Sequence, residues 1–283
     1  MLPASIQITG EQLSAAEVQD ICESLKEDGV RLLSVRGCQL SDRDFGRLNL
    51  NLGVVSGAGR ARHLADALKT NRSLQTLFLH GNPLCDAGLV ALNAALSTHP
   101  ALVSLDLGDG SLGDRALGLV CGLLPPDGAK SGLRELTLSA NPGISSKGWA
   151  RLAIAVAHSS QLRVLNLDYN PLGDQIAGML AVAVASSRTL EVLDLEGTGL
   201  TNQSAQVFLD MVENYPTCLR VLVLAENDIS PELQQQICDL LSDDEPGPAS
   251  TLNVSFFNPT DSSPQMVLLT SGLGESLLAE TEM

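Results

Sequence analysis

The stretch Leu74-Gln-Thr-Leu77-Phe-Leu79-His-Gly-Asn82-Pro-Leu84 decides the fold through the spacing of its leucines. The same frame, L-x-x-L-x-L-x-x-N-x-L, returns along the chain with a usual period of about 28 residues. Alternate leucines predict a short parallel strand with inward-facing side chains. Beyond the turn, helical spacing such as that of Leu89 and Leu92 predicts a helix. The fourth-position residues of successive copies are Ile6, Leu33, Leu48, Leu77, Leu105, Leu136, Leu165, Leu193 and Leu222.

Polar residues after each strand predict how a repeat turns and begins its helix. The asparagine of the frame lies where the chain leaves the strand, and we expect its amide to bond backbone groups of neighbouring repeats. Asp114 and Asp174 each follow a glycine at a helix start, and we expect each to cap that helix. Ser230 and Pro231 predict the start of the last helix, which runs through Leu241.

This period, with a full helix in each unit, resembles the ribonuclease-inhibitor type of leucine-rich repeat, the class that includes the repeats of NOD-like receptors. The resemblance covers about residues 5–241. It implies an α/β solenoid, a curved horseshoe with parallel strands on the concave side and helices on the convex side. It also implies protein partners and no catalysis.

The repeats divide the chain into three parts. Residues 1–29 are predicted to form an N-terminal capping half-repeat and helix, and residues 30–241 the leucine-rich repeats. Residues 242–283 carry seven acidic residues and no Lys or Arg, which predicts a disordered acidic tail.

One repeat, near residues 33–48, is too short. The spacing from Leu33 to Leu48 is only about half the usual period, which leaves room for a strand and a turn but not for a helix. The segment is either a genuine short repeat or the site of an absent segment of about one helix, near Arg47. We favour the second interpretation, because a missing helix would expose the apolar flanks of its neighbours. In both cases the strand around Leu48 is predicted to keep its register.

Charge and motif content exclude several functions. The 283 residues include 33 acidic and 17 basic ones, a formal net charge of −16, which predicts neither nucleic acid nor a membrane as partner. No secretory signal and no membrane span is found, so we expect a cytoplasmic protein, and a monomer. No nucleophile–base pair, phosphate-binding loop or His/Cys cluster of metal spacing is found. We therefore predict no enzyme, no metal site and no cofactor.

Function is expected on the concave sheet, where the x positions of the frame point outward in columns. The middle column is Ser34, Asn49, Phe78, Asp106, Thr137, Asn166, Asp194 and Val223. The next is Arg36, Asn51, His80, Gly108, Ser139, Asp168, Glu196 and Ala225. The later strands thus present an acidic field carrying an aromatic side chain, which suits a basic protein partner. The predicted protein-binding residues are Phe78, His80, Asp106, Asp109, Asp168, Tyr169, Asp194 and Glu196.

Other interpretations stay open at this point. Solvent-facing strand positions are also polar simply for solubility. A regulator of a small GTPase or another enzyme is the alternative function, by analogy with GTPase-activating leucine-rich-repeat proteins. In the tail, Ser242 precedes three acidic residues as in a kinase site, and Thr281 with Met283 is arranged as in a C-terminal peptide ligand.

Overall fold

Eight short strands form one parallel sheet in the computed structural model, which describes residues 5–9, 12–13, 15–26, 29–36, 39–40, 58–126, 129 and 131–242. These strands, in spatial order, are β1 (Ser5–Thr9), β3 (Leu32–Arg36), β5 (Thr76–Phe78), β6 (Ser104–Asp106), β7 (Glu135–Thr137), β8 (Val164–Asn166), β9 (Val192–Asp194) and β10 (Val221–Val223). Two further short strands, β2 (Gln12–Leu13) and β4 (Gln39–Leu40), pair with each other.

Helices alternate with these strands and cover one side of the sheet. In chain order they are α1 (Ala15–Lys26), α2 (Ala58–Thr70), α3 (Cys85–Leu96), α4 (Asp114–Cys121), α5 (Ser146–Ala157), α6 (Gly173–Ser186), α7 (Asn202–Asn214) and α8 (Pro231–Ser242). Each packs against the next one described, and the predicted leucine-rich-repeat solenoid is thereby confirmed. The face of the sheet turned away from the helices is called the strand face below.

Leucines of the frame fill the layer between sheet and helices. The register pairs Leu77 with Leu105, Leu105 with Leu136 and Leu136 with Leu165, as the period predicts. All four are buried, and burying one leucine side chain contributes about 1.5–3 kcal/mol. Because leucine, repeated in every unit, fills this thin layer, the core needs few aromatic side chains, which make up 3% of the chain.

The described strands leave no place between β3 and β5 for the strand predicted around Leu48. Strand β3 pairs directly with β5, Leu33 opposite Leu77 and Ser34 opposite Phe78. Two neighbouring parallel strands need a crossover of a dozen or more residues, and the short spacing from Leu33 to Leu48 leaves no room for one. Asn49 and Asn51 therefore have no place between their predicted column neighbours. Residues 41–57 themselves lie outside the described residues.

Asparagine side chains tie neighbouring repeats together, as predicted. The Nδ2 of Asn141 donates to the carbonyls of Leu107, Leu138 and Ser139 at 3.0–3.1 Å. Its Oδ1 accepts from the N–H groups of Gly110 and Leu112 at 3.2 and 3.0 Å. Because the preceding repeat has Gly110 at the frame's asparagine position, this one side chain completes the turns of two repeats.

Aspartates at the helix starts act across repeats, which corrects the expectation that each caps its own helix. The carboxylate of Asp114, in α4, accepts from the N–H and the hydroxyl of Ser145, just before α5, at 2.8 and 2.6 Å. That of Asp174, in α6, accepts from the N–H of Thr201 at 2.9 Å and from the hydroxyl of Ser204. Helix starts of adjacent repeats lie side by side, so a first-turn carboxylate reaches the free N–H groups of the next helix.

Replacing Asp174 with alanine is expected to destabilise α7 rather than α6. The loss of a helix cap costs about 1–2 kcal/mol. Hydrogen exchange should accelerate in the first turn of α7, and urea unfolding should shift by the same free energy. The matched control is Asp66→Ala, which removes an exposed carboxylate 2.9 Å from Lys69 and should cost less than about 0.5 kcal/mol. Equal losses in the two variants would contradict the assignment.

The last helix begins at Pro231, as predicted, and the hydroxyl of Ser230 accepts from the N–H of Leu233 at 3.4 Å. It ends at Ser242, one residue inside the predicted tail, where the Ser242 hydroxyl donates to the carbonyl of Cys238 at 2.8 Å. Thr281 and Met283 lie outside the described residues. Among the helices described, none is both long and apolar enough to cross a bilayer.

Candidate protein-interaction surface

Outward residues of the strands form the columns that the period predicts, apart from the missing Leu48 strand. The register aligns Phe78 with Asp106, Asn166 with Asp194, and Asp194 with Val223. Side chains distant in sequence therefore lie side by side on the strand face. The strand face carries two groups of side chains. The group on the early strands has its charges paired within the chain, and the group on the late strands is acidic and forms no salt bridge among the described residues.

The early strands carry a group whose charges are paired internally. The guanidinium carbon of Arg36 lies 4.5 Å from the ring centroid of Phe78, a cation–π contact. Asp106 receives two partners: its Oδ2 lies 3.5 Å from Nη2 of Arg36, and its Oδ1 lies 3.4 Å from Nδ1 of His80. The hydrogen bond to Asp106 raises the pKa of His80. Phe78 and Asp106, both predicted to contact a partner, are thus engaged within the chain.

Asp109 lies on the turn after β6 and is exposed. Its φ is +46°, in the left-handed region, and equivalent residues of other repeats share this conformation, among them Ala140, Tyr169 and Glu226. The turn therefore projects one side chain per repeat beyond the end of the strand. On the late strands, the side chains at this turn position are those of Tyr169 and Glu226.

The late strands carry the acidic group, which we define as Asp168, Tyr169, Asp194, Glu196 and Glu226. The hydroxyl of Tyr169 donates to Oε1 of Glu196 at 2.5 Å and contacts Oε2 of Glu226 at 3.2 Å. The first of these bonds is the main reason why the pKa of Tyr169 lies well above its usual range, so the phenol remains a donor. Tyr169 is nevertheless 48% exposed. Its ring is held in one place and still faces solvent.

Gly197 provides the space in which this ring lies. A Cβ atom at position 197 would come within 2.8 Å of Cδ1 of Tyr169, closer than side chains approach. Gly197 also has a φ of +60°, which glycine adopts without strain. One repeat thus supplies the aromatic ring, and the next supplies both the gap beneath the ring and the carboxylate that fixes its hydroxyl.

Two carboxylates of the acidic group, Asp168 and Asp194, are held in an environment that disfavours their ionised form. Burial, with the nearby charges of Asp168 and Glu196, raises the pKa of Asp194 to about 7. Burial and Glu196 also raise the pKa of Asp168. Asp194 keeps two hydrogen bonds, from the N–H of Glu196 at 3.0 Å and from Nδ2 of Asn166 at 3.3 Å. These bonds fix its position without neutralising its charge.

Within the described part of the chain, none of the four carboxylates of the acidic group forms an ion pair. The nearest paired acid on this edge is Glu191, whose Oε1 lies 2.5 Å from Nη1 of Arg163. Among the same described residues, no three His, Cys, Asp or Glu side chains are placed to hold a metal ion. The acidic group is thus a negative surface that forms no salt bridge with any basic residue in the described ranges.

Three residues of this surface are absent from the predicted protein-binding residues, although the outward columns already included Asn166 and lay beside Glu226. Asn166 links strands by bonding Asp194 and accepting from the hydroxyl of Ser139 at 3.2 Å. Gly197 and Glu226 hold Tyr169, as described above. Their signal is the repeat period: Gly197 lies one period after Tyr169, and Glu226 lies one period after Gly197, in the same column of turn residues.

A family model described as Leucine Rich repeat matches residues 158–181. Leucine-rich repeat-containing protein 73 of Homo sapiens is 68% identical over 316 residues, an alignment covering 100% of this chain and 100% of that protein. The alignment is 33 positions longer than the 283 residues of this chain, so 33 positions have no residue of this chain opposite them. If a segment is absent from this chain near Arg47, a full-length relative must have additional residues, as this alignment shows.

More distant similarities concern the repeats alone. NACHT, LRR and PYD domains-containing protein 3 of Macaca mulatta is 34% identical over 135 residues, 47% of this chain and 13% of that protein. The solved structure of Leiomodin-1 Actin-Binding Site 2 is 13% identical, with a TM-score of 0.37 over 67% of this chain and 90% of that chain. Leucine-rich-repeat proteins are generally non-enzymatic, and the repeat fold indicates a protein-interaction role.

Proposed function

Since this chain belongs to the leucine-rich-repeat family of leucine-rich repeat-containing protein 73, we propose that it binds a basic protein partner on its concave strand face. It acts as a scaffold in the cytoplasm, by binding and not by catalysis. The partner contacts the acidic group, and the early strands contribute Asp109 and the exposed edge of His80.

The observation that carries the proposal is the contrast between the two groups of the strand face. Asp106 lies within salt-bridge distance of Arg36 and His80. Asp168, Asp194, Glu196 and Glu226 form no salt bridge among the described residues, and the charge of His80 only partly opposes the rise in the pKa of Asp168. A solenoid gains nothing in stability from crowding unpaired acids on adjacent strands, because like charges directly opposite each other are destabilising. A lysine or arginine from a partner relieves this repulsion.

Tyr169 supplies the second component of a binding site, an anchor. Aromatic side chains that are fixed before binding lose little conformational freedom and are enriched among residues that dominate interface energies. The Tyr169 ring lies on Gly197 and its hydroxyl is held by Glu196. The exposed ring surface is therefore available for contact, while the surrounding carboxylates steer a basic partner towards it.

The test uses two charge reversals at accessible members of the group, Glu196→Lys and Glu226→Lys, in one full-length variant. Partners recovered by affinity purification with the wild-type chain should be lost, because both steering and contact are reversed. Tyr169→Ala alone should weaken the binding of each such partner about 30-fold, a loss of ~2 kcal/mol.

The control reverses two exposed acids on the opposite side of the molecule, Glu232→Lys and Asp239→Lys in α8, with the same change in net charge. This variant should retain the partners, and no variant should unfold more than about 2 °C below the wild type. Partners that survive the Glu196/Glu226 reversal, or that are lost equally in the α8 control, would refute binding at the acidic group.

A further inference from the structure

The helix side of the solenoid exposes an apolar area that the strand-face site does not explain. Val182 in α6 is 67% exposed and Ile154 in α5 is 57% exposed. Met179 in α6 and Val207 in α7 are also exposed. Single exposed aliphatic residues are ordinary, but several in contact with one another on a protein surface mark an interaction site.

The repeat period places these four residues next to one another. The buried residues Leu152, Leu180 and Phe208 follow one another at intervals of one repeat period on α5, α6 and α7, which defines equivalent positions on these packed helices.

At the same interval, Ile154 precedes Val182, and Met179 precedes Val207. Met179 and Val182 are three residues apart and so share one face of α6. The four side chains form one surface, which we call the convex patch.

Charge is distributed asymmetrically around the convex patch. On α5, Lys147 and Arg151 are exposed, and Arg151 is equivalent to Met179. On α7, Asp210 and Glu213 are exposed, and Asp210 is equivalent to Val182. Between them, α6 has Asp174 as its one charged residue, and that carboxylate is bonded to Thr201 and Ser204. The patch is an apolar strip with a basic edge and an acidic edge.

We propose that the convex patch is the interface of a symmetric homodimer. When a second copy is turned about an axis running along α6, the two α6 helices face each other, and the α5 edge of one copy lies over the α7 edge of the other. Arg151 of each copy then meets Asp210 of its partner, so the surface is complementary to itself in charge, as an isologous contact requires. A dimer replaces the monomer expected from the sequence.

The size of the patch sets the strength of this dimer. Helices of 12 to 14 residues are about 18–21 Å long, and three of them side by side span about 20–30 Å. The contact is smaller than the ~800 Å² per partner of a standard stable interface. The dimer is consequently weak and depends on protein concentration.

Sedimentation velocity of the full-length chain over a range of concentrations tests the proposal. The wild type should pass from monomer to dimer, and Val182→Glu should raise the dissociation constant at least about tenfold. The control is Val90→Glu, an exposed valine of α3 outside the patch, which should leave the dissociation constant unchanged. A wild type that stays monomeric at ~0.5 mM, where weak interfaces still associate, overturns the proposal, whatever other ligand the patch then binds.

Charge reversals at Arg151 and Asp210 test the proposed orientation. Arg151→Glu alone and Asp210→Arg alone should each weaken the dimer, because each places like charges opposite one another at both edges. The double variant Arg151→Glu/Asp210→Arg should restore wild-type association, since every pair across the axis is again of opposite charge. Additive weakening in the double variant would overturn the proposed pairing of the α5 and α7 edges.

Discussion

Replacing Asn141 with alanine is expected to cost about 3–4 kcal/mol of unfolding free energy, more than the loss of a helix cap. The side chain is fully buried and makes five hydrogen bonds to backbone groups. Removing it takes the partner from the carbonyl of Leu107 and from the N–H groups of Gly110 and Leu112, in the preceding repeat. Each buried group left unpaired costs about 1–3 kcal/mol where water cannot replace the partner. Urea unfolding followed by circular dichroism measures the loss.

Asn214→Ala is the matched control for this substitution. Asn214 is exposed at the end of α7 and makes one bond, from its Nδ2 to the carbonyl of Asp210 at 2.9 Å. Its removal should change stability by no more than about 0.5 kcal/mol. If Asn141→Ala were no more harmful than Asn214→Ala, the bonds between repeats would not be a major source of stability.

Asp194 is expected to make the folded chain less stable as the pH rises from 4 to 8. Its folded pKa is about 7, above the ordinary 3.8, so between these values the folded state binds more protons than the unfolded state. Stability therefore falls as the pH rises towards the folded pKa, by about 1–3 kcal/mol after allowance for solvent and for coupling to its neighbours.

The variant Asp194→Asn isolates this contribution from other titrating groups. Relative to wild type, the variant should gain stability steadily from pH 4 to pH 8, because its side chain is neutral throughout. Thermal unfolding at half-unit pH intervals measures the difference. A constant offset between Asp194→Asn and wild type across this range would show that Asp194 is not in an unfavourable environment.

This pH dependence has the opposite sign to that of the helix caps. The hydrogen bonds from Ser145 and from Ser204 lower the pKa values of Asp114 and Asp174, respectively. Their stabilising contribution is present above pH 3.8 and is lost as the pH falls through their folded values. Asp114 and Asp174 thus stabilise the fold when ionised, whereas ionisation of Asp168 and Asp194 destabilises it. A surface kept at such a cost is typical of a binding site.

Periodicity was sufficient to predict the core and the columns. The register of Leu77, Leu105 and Leu136 follows from counting residues, because every repeat has the same strand and helix. For the same reason Asp168, Tyr169, Asp194 and Glu196 could be grouped before any contact was known. A repeat fold converts sequence spacing into spatial neighbourhood more directly than an irregular fold does.

Predictions that depend on strand neighbours failed where the period failed. The sequence indicated a strand around Leu48 between Ser34 and Phe78, which would have separated Arg36 from Phe78 by a whole repeat. In the structure β3 and β5 are adjacent, so Arg36 reaches both Phe78 and Asp106. Because the strand order was predicted wrongly at this point, the sequence did not reveal that Arg36 pairs with Asp106 and contacts Phe78.

The sequence also did not predict which side chains contact the neighbouring repeat. The frame locates Asp114 and Asp174 at helix starts, but it does not say that the nearest free N–H groups belong to the next helix. Similarly, Gly197 is inconspicuous in a chain of 25 glycines until the ring of Tyr169 is seen above it. Both features arise between repeats, whereas a sequence frame describes one repeat at a time.

The caps that cross between repeats are absent from one junction of the stack. Side chains of α3, α4, α6 and α7 bond the start of the following helix, through Asp86, Asp114, Asp174 and Asn202. The equivalent residue of α5 is Ser146, and α6 begins after Leu172 without a side-chain cap. Among the described residues from α3 to α8, parting α5 from α6 is therefore the one separation that breaks no such bond. The strand side fastens this junction instead: Nδ2 of Asn170 donates to the carbonyl of Leu138 at 3.0 Å, and the hydroxyl of Ser139 donates to Oδ1 of Asn166 at 3.2 Å. The early group and the acidic group are therefore joined through the turns and strands of the sheet, where the helix starts contribute no bond.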